Sequence, residues 1–207
     1  MTQPKAPSEI IRAFLNLVGA QGWQAANPGR IAEEAGIKLS ELRQAFDGKI
    51  AIIEAFSRDI DHAVLDQMDT DIAHEIPRER LMDVLLTRLD ILAPHKQALR
   101  EIMRAARADL TLAAQLNRIG LVSMTWMLHA ANIDTKGIEG AIRVQGTALV
   151  FARVLQTWFD DDDTTKTMAA LDRALRMGER NMRRLDRVSS LLTPFKHLKT
   201  RCRARQN

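Results

Sequence analysis

The chain has 207 residues, of which 46% are hydrophobic and 27% are charged, with a formal net charge of +4 and one cysteine. These values are those of an ordinary globular protein, and one cysteine excludes both an intramolecular disulfide and a cysteine-cluster metal site. Because no apolar run reaches about 18 residues and the first residues carry no secretory apolar segment, we expect a cytoplasmic protein without a spanning helix.

Three short helices are predicted at the start of the chain, where apolar residues recur with the helical period. The first ends before Gly22. The second has Asn27 as its N-cap and Pro28 at its first position, where a missing N–H costs nothing, and it ends at Gly36. The third places its large apolar residues on one face, at Leu39, Leu42 and Phe46.

Longer helices are predicted in the rest of the chain, since the same period continues and no run alternates with period two. Their expected spans are about 49–69, 78–92, 95–107, 109–131, 137–159 and 163–187. We therefore expect an all-α protein with a compact N-terminal bundle and a larger C-terminal bundle.

The second and third helices, joined by a tight turn at Gly36, have the pattern of a helix-turn-helix, whose second helix enters the major groove of DNA. The stretch NPGRIAEEAGIKLSELRQAFDGK resembles the N-terminal domain of the TetR family of transcriptional repressors, and the similarity extends over about residues 8–60. The matching positions are Ile31, Ala32, Ala35, Gly36, Ile37, Leu42, Phe46 and Lys49. The resemblance implies a TetR-like fold and a repressor that binds operator DNA as a homodimer, under the control of a small ligand in the C-terminal bundle.

Six residues are the candidates for DNA contact. Five lie on or beside the outer face of the third helix and the sixth matches a phosphate contact of the family: Lys38, Ser40, Glu41, Arg43, Gln44 and Lys49. An arginine can bind phosphate or recognise guanine with two hydrogen bonds. The alternative is that these side chains form only a solvated helix face.

The chain departs from the family pattern at three of these positions. Arg43 stands where the family has a tyrosine that contacts phosphate, and the chain has no tyrosine. Lys38 replaces a capping serine, and Glu41 adds a negative charge where the DNA backbone would approach. These departures leave open the hypothesis that the helix pair no longer binds DNA.

The charge is distributed unevenly along the chain. Residues 1–49 carry six Lys/Arg and five Asp/Glu, residues 50–172 carry 13 and 19, and residues 173–207 carry 11 and two. The corresponding net charges are +1, −6 and +9. The basic character is therefore concentrated at the C-terminal end, although phosphate contacts supply most of the affinity for DNA.

A second resemblance favours a different function, in which the protein binds lipid and no longer binds DNA. The stretch VLQTWFDDDDTTKTMAALDRAL, residues 154–175, is similar to the C-terminal region of the lipid-binding accessory protein of ubiquinone biosynthesis, a TetR-fold family that no longer binds DNA. The matching positions are Trp158, Asp161, Asp163, Thr167, Leu171, Asp172 and Arg173. This resemblance implies a lipid or quinone ligand and an amphipathic C-terminal segment at membranes.

The tail, residues 188–207, has the composition of such a segment. Apolar residues recur at Phe195, Leu198 and Cys202, and five Lys/Arg lie among them. A basic amphipathic segment of this kind would give peripheral contact with anionic lipid. A free basic terminus and a non-specific attraction for DNA remain as alternatives.

A ligand site is predicted in the C-terminal bundle, which is rich in methionine and tryptophan. The candidate residues are Met82, Met103, Leu116, Met124, Met127, His129, Phe151 and Trp158. Methionine adapts to irregular volumes, and pockets in bundles are mostly apolar. With few charges expected inside, the sequence predicts an apolar small-molecule or lipid ligand, although plain core packing explains each residue singly.

No enzyme, cofactor or metal site is predicted. The four aspartates at 160–163 are better explained as the cap of the next helix than as calcium ligands, which are spread over a longer loop. The histidines lack ligand spacing, and no nucleotide-binding or hydrolase motif occurs. We therefore predict a DNA-binding domain at 1–49, a ligand-binding and dimerisation domain at 50–187, and the tail at 188–207.

Overall fold

The computed structural model describes residues 6–68 and 75–192, with side chains described as far as Arg180. Within these residues the chain forms nine α-helices, one 3-10 turn and no strand. The α-helices are α1 Pro7–Gln21, α2 Pro28–Ala35, α3 Leu39–Ala45, α4 Lys49–Asp66, α5 Pro77–Leu92, α6 Lys96–Ala106, α7 Leu110–Ala130, α8 Gly137–Phe159 and α9 Thr165–Leu192. The 3-10 turn Ala93–His95, which contains Pro94, separates α5 from α6 between the predicted spans 78–92 and 95–107.

The helix-turn-helix forms as the capping residues predict. The Asn27 side chain accepts a hydrogen bond from the Arg30 N–H at 3.1 Å, and Pro28 is the first residue of α2. Gly36 ends α2 with φ 63° and ψ 38°, a left-handed conformation that glycine adopts without a steric cost. The short turn that follows leads directly into α3.

Two helix ends and one burial prediction are corrected. The fourth helix ends at Asp66 rather than near residue 69. The last helix continues past the predicted end at 187 and includes Leu192, the last residue that the structure describes. Leu39, predicted on the packed face of α3, is 55% exposed, because it is the first residue of a seven-residue helix and projects past the contact with α2.

One hydrophobic core runs through the molecule. It includes Ile10 and Phe14 of α1, Leu85 of α5, Met127 of α7 and Leu171 of α9. α1 packs against α6 as well as α2, and α4 packs against α1, α5 and α7. The predicted boundary at residues 49 and 50 therefore falls in the first turn of a helix that contacts both bundles.

Among the described residues, no helix has both the length and the apolar character needed to cross a lipid bilayer.

Candidate nucleic-acid interface and ligand site

The outer face of α3 is presented to solvent. Leu42 is buried beneath it, whereas Ser40, Arg43 and Gln44 are exposed. This division follows from the length of α3, a seven-residue helix with one side against α2. The polar side chains are therefore available to a partner approaching from outside.

Arg43 is held by an exposed ion pair. Its guanidinium donates to the Asp47 carboxylate one helical turn further on, and the two side chains are 72% and 85% exposed. Exposed pairs of this type contribute about 0–1 kcal/mol to the free energy of unfolding. A phosphate or a base edge can therefore replace Asp47 as the partner of Arg43 at low cost.

Glu41 has a structural role that explains its presence on this helix. Its carboxylate accepts a hydrogen bond from the Lys38 N–H at 2.7 Å, one of the backbone groups left unpaired at the start of α3. This is half of a capping box; the other half cannot form, because a lysine side chain has no acceptor. The glutamate thus turns back onto its own helix rather than outward.

Lys49 contacts the protein itself. Its ammonium group lies 3.8 Å from the centroid of the Trp23 ring and donates to the Trp23 carbonyl at 3.1 Å. Burial lowers the pKa of this amine from its ordinary value. Trp23 in turn packs edge-on against Phe14, so Lys49 ties the start of α4 to the core of the N-terminal bundle.

A mostly apolar groove of about 460 Å³ lies between α2, α3 and the start of α4. Ile31, Leu39, Phe46 and Ile52 contribute to its walls, and Ser40 and Arg43 lie at its edge. The groove accounts for the exposure of Leu39, whose side chain projects over this space rather than into a packed contact.

The C-terminal bundle contains a buried polar cluster that the sequence analysis did not find. Asp61 Oδ1 accepts hydrogen bonds from an Arg88 Nη1–H and, at 2.6 Å, from the Ser123 hydroxyl. The Asp61 and Arg88 side chains are only 8% and 6% exposed. The sequence analysis expected few charges inside this bundle and did not identify this pair, to which α4, α5 and α7 each supply one polar residue.

Arg88 is held by apolar as well as polar groups. Its guanidinium lies 5.7 Å from the centroid of the Phe151 ring, and its Nη1 is 3.9 Å from the Met127 sulfur. Burial lowers the pKa of this guanidinium, and the Asp61 carboxylate opposes the shift. Two residues of the predicted ligand site, Met127 and Phe151, thus lie beside the arginine of a buried ion pair.

The arrangement of helices can be compared with that of solved structures. A TetR transcriptional regulator from Nitrosomonas europaea superposes with a TM-score of 0.66 at 18% identity, over 83% of this chain and 96% of that one. A TetR regulator from a Rhodococcus species gives 0.59 at 18% identity, over 82% and 93%. This chain has the TetR fold. No family model and no curated protein matches it in sequence.

A further TetR-fold neighbour was solved with a ligand. The regulator FadR from Bacillus subtilis, in complex with stearoyl-CoA, has a TM-score of 0.50 at 16% identity, over 83% of this chain and 97% of that one. At this level of identity the likeness concerns the fold alone. It shows that a TetR-fold regulator can hold a ligand with a long acyl chain.

Within this TetR fold, seven of the eight predicted ligand residues lie in the core or against it, and one is exposed. Met124, Met127, Phe151 and Trp158 are buried in the core, and Met82, Met103 and Leu116 are half-buried against it. His129, by contrast, is exposed on α7, where it hydrogen-bonds with Thr135 and, beside Val122 and Trp126, lines a surface hollow.

A cavity of about 400 Å³ opens between α4 and α7 of the TetR fold, next to this hollow, and shares Val122 and Trp126 with it. Asp61 lies in its wall, together with apolar residues of both helices, among them Leu65, Ile119 and Trp126. The periodicity of α4 gives the signal that could have found it, since Asp61 directly follows Ile60 and lies three residues before Val64, on the buried face.

The residues of the second resemblance build the corner between α8 and α9. Asp161 is 2% exposed, and its Oδ2 accepts from the backbone N–H and the hydroxyl of Thr167, each at 2.7 Å. Lys96 of α6 donates to the Asp161 carbonyl at 2.7 Å. Trp158 and Leu171 are buried beside this corner, and the motif therefore has a structural explanation that requires no lipid.

Two further predictions concern metals and the tail. No group of three or more metal-ligating side chains able to hold an ion occurs within residues 6–68 and 75–180, whose side chains the structure describes. Of the tail at 188–207, the backbone of 188–192 belongs to α9. The predicted amphipathic segment with Phe195, Leu198 and Cys202 lies outside the described residues.

Proposed function

We propose that this chain is a transcriptional regulator that binds operator DNA as a homodimer, acting as a repressor whose affinity for DNA is controlled by a small ligand. The observation that carries the proposal is the exposed polar face of α3, with Ser40, Arg43 and Gln44 outside and Leu42 buried, on a helix-turn-helix within a TetR fold. A helix displayed in this way fits the major groove.

Arg43 is the main candidate for base or phosphate contact. Its planar guanidinium can donate two parallel hydrogen bonds to guanine or to a phosphate. The side chain of the adjacent Gln44 can form two hydrogen bonds with adenine, while Ser40 and Lys38 at the start of α3 can contact the phosphates of the DNA backbone. Glu41, occupied as a cap, serves to hold this helix end in shape, and Lys49 positions α4 against Trp23.

The charge of the DNA-binding region limits the electrostatic contribution to binding. Residues 1–49 carry a net charge of only +1. Because each phosphate contact adds about 0.9 to the salt-dependence slope, we expect a shallow dependence on salt and affinity that rests on a few specific contacts.

A homodimer is supported by exposed apolar residues on the last two helices. Ile138, Ile142 and Leu149 of α8 are 81%, 42% and 60% exposed and are spaced by four and seven residues, so they lie along one face. Met168 and Met177 of α9 are exposed as well, and α9 packs beside α8. Two copies joined through these faces would form a four-helix bundle.

The dimer is tested by a charge placed on this face. We expect Leu149→Glu to convert the dimer to monomer in analytical ultracentrifugation, because the carboxylate would be buried without a partner. Leu110→Glu is the matched control, since Leu110 is 87% exposed at the start of α7, on a different helix. Dimers that persist in Leu149→Glu would contradict this interface.

The regulator function itself is tested by selection. The purified protein is incubated at low salt with fragments of its own genome, and the bound DNA is sequenced. The proposal predicts enrichment of a palindromic sequence whose half-sites lie about one helical turn apart. Retention of no fragment above background by the folded dimer would overturn it.

A further inference from the structure

The cavity between α4 and α7 is built along one face of each helix. On α4 its residues recur every three or four positions from Glu54 to Leu65, and on α7 they run from Arg118 to Trp126. The Glu54–Arg118 ion pair bridges the two helices at one end. The volume of about 400 Å³ lies within the range of small-molecule sites.

Asp61 gives this cavity a polar group with spare hydrogen-bonding capacity. Both hydrogen bonds described for Asp61, from Arg88 and Ser123, end on Oδ1. Oδ2 accepts no hydrogen bond from a described residue and is not among the buried polar atoms that lack a partner, so it keeps some contact with open space. Since Asp61 lines the cavity, Oδ2 is the oxygen available to a ligand there. A carboxylate that is 8% exposed gains most from a donor that arrives with a ligand.

The remaining walls select the body of the ligand. Ile119 and Leu65 are half-buried, and Trp126 is 51% exposed, so that part of its indole surface can contact an apolar or aromatic group in the cavity. Stacking on an indole and contact with aliphatic side chains favour a flat or short-chain hydrophobic body.

The charges around the cavity determine which polar group of a ligand can bind there. Asp61 is already neutralised by Arg88, and Glu54 is neutralised by Arg118. Arg58, which is exposed and also lines the cavity, leaves a small positive excess. A cationic ligand would therefore meet like charge, and an anionic ligand would meet the carboxylate at the wall. A neutral hydroxyl group satisfies Oδ2 without either penalty.

We propose that the α4–α7 cavity is a binding site for neutral hydroxylated apolar compounds, of the phenol or alkylphenol class, whose O–H donates to Asp61 Oδ2 while the body packs on Ile119 and Trp126. The hydrogen bond to a buried carboxylate makes the site specific, because a compound without the O–H leaves Oδ2 unpaired. That such a ligand alters DNA binding rests on the proposed function; the binding itself does not.

Matched probes test the polar contact in the absence of DNA. Isothermal titration calorimetry of the full chain with para-butylphenol is expected to show one site per chain. The methyl ether para-butylanisole, which has the same body but no donor, is expected to bind at least about tenfold more weakly. Para-butylbenzoate and para-butylbenzylamine, the anionic and cationic counterparts, are also expected to bind more weakly than the phenol. Equal affinity for phenol and ether, preference for either charged probe, or no binding of the phenol would each overturn the proposal.

A matched pair of variants locates the site. Ile119→Trp fills the cavity without touching the polar cluster and is expected to abolish binding of para-butylphenol. Leu110→Trp adds the same side chain at a position that is 87% exposed at the start of α7, about two turns before the first cavity residue of that helix, and it is expected to leave the affinity unchanged. Full affinity in a folded Ile119→Trp variant would place the phenol elsewhere and contradict the assignment. Because DNA takes no part, failure of these titrations is distinguishable from failure of the regulator proposal.

Discussion

The outer face of α3 and the polar cluster of the C-terminal bundle both centre on an arginine paired with an aspartate, yet they differ in every physical respect. The Arg43–Asp47 pair is local, one turn apart on the chain, and mostly exposed. The Arg88–Asp61 pair joins two helices and is almost entirely buried. An exposed pair contributes little stability and its members are free to change partners, whereas a buried pair is costly to break. The comparison teaches that the same two residue types leave an arginine free to exchange its partner in one region and fix the packing of two helices in the other.

The largest expected effect is the loss of stability when the buried Arg88–Asp61 ion pair is broken. Arg88→Ala leaves the Asp61 carboxylate buried without its cation and should lower the free energy of unfolding by about 3–5 kcal/mol, measured by urea denaturation. The double variant Asp61→Leu/Arg88→Met removes both charges and keeps apolar volume, so it should lose less than Arg88→Ala alone. A loss below about 1 kcal/mol in Arg88→Ala would show that the pair is not a structural element of the core.

The next effect concerns the start of α8, where the backbone is closely packed. A Cβ added at Gly140 would lie 2.0 Å from the carbonyl carbon and oxygen of Thr135. Gly140→Ala should therefore lower the free energy of unfolding by about 1–3 kcal/mol. Gly120→Ala is the control within a helix, since nothing lies within 4 Å of its added Cβ, and it should raise stability by up to about 1 kcal/mol. Equal stability of the two variants would contradict the packing described for this turn.

Asp161, at the corner between α8 and α9, is expected to make the stability of the fold depend on pH. The hydrogen bonds from Thr167 hold the pKa of the Asp161 carboxyl below its ordinary value. Because the folded-state pKa is the lower one, this contribution to stability is complete above about pH 4 and is lost as the pH falls through the folded-state value. Asp161→Asn should lower stability at neutral pH and flatten the loss on acidification, as followed by circular dichroism. The exposed neighbour Asp162→Asn should reproduce the wild-type profile, and a change of the same size there would contradict the assignment to Asp161.

Local signals in the sequence were sufficient for the helix boundaries and the main buried residue of the helix-turn-helix. The caps at Asn27 and Gly36 determine α2 through contacts within three or four residues, and the buried Leu42 follows from helical periodicity. The role of Glu41 was harder to predict from the sequence. Its charge suggests a role at the surface, whereas its position three residues after the N-cap suggests a capping contact. The structure shows a capping contact that the sequence analysis did not predict, and a search for the Ser/Thr-x-x-Glu capping box would have missed it because Lys38 stands at the N-cap.

The C-terminal site was beyond such reasoning because its contacts are distant along the chain. Asp61, Arg88 and Ser123 come from three helices, and no local pattern pairs them. Arg88 does fall between Leu85 and Leu89 on the apolar face of α5, which signals burial but not the partner. Lys49 presents the same problem, since its contact with Trp23 spans 26 residues. Periodicity predicts which face is buried, and only the tertiary arrangement decides which polar groups meet.

The most direct test of the regulator proposal measures one side chain for both affinity and stability. Binding of the enriched palindromic duplex is followed by fluorescence anisotropy for the wild type, Arg43→Ala and the control Arg12→Ala, whose side chain is 70% exposed on α1. The account predicts that Arg43→Ala weakens binding by about 1–3 kcal/mol while its free energy of unfolding changes by less than about 1 kcal/mol, and that Arg12→Ala changes neither by more than the error. Unchanged affinity for the duplex in a folded Arg43→Ala variant would contradict the assignment of α3 as the DNA-recognition helix.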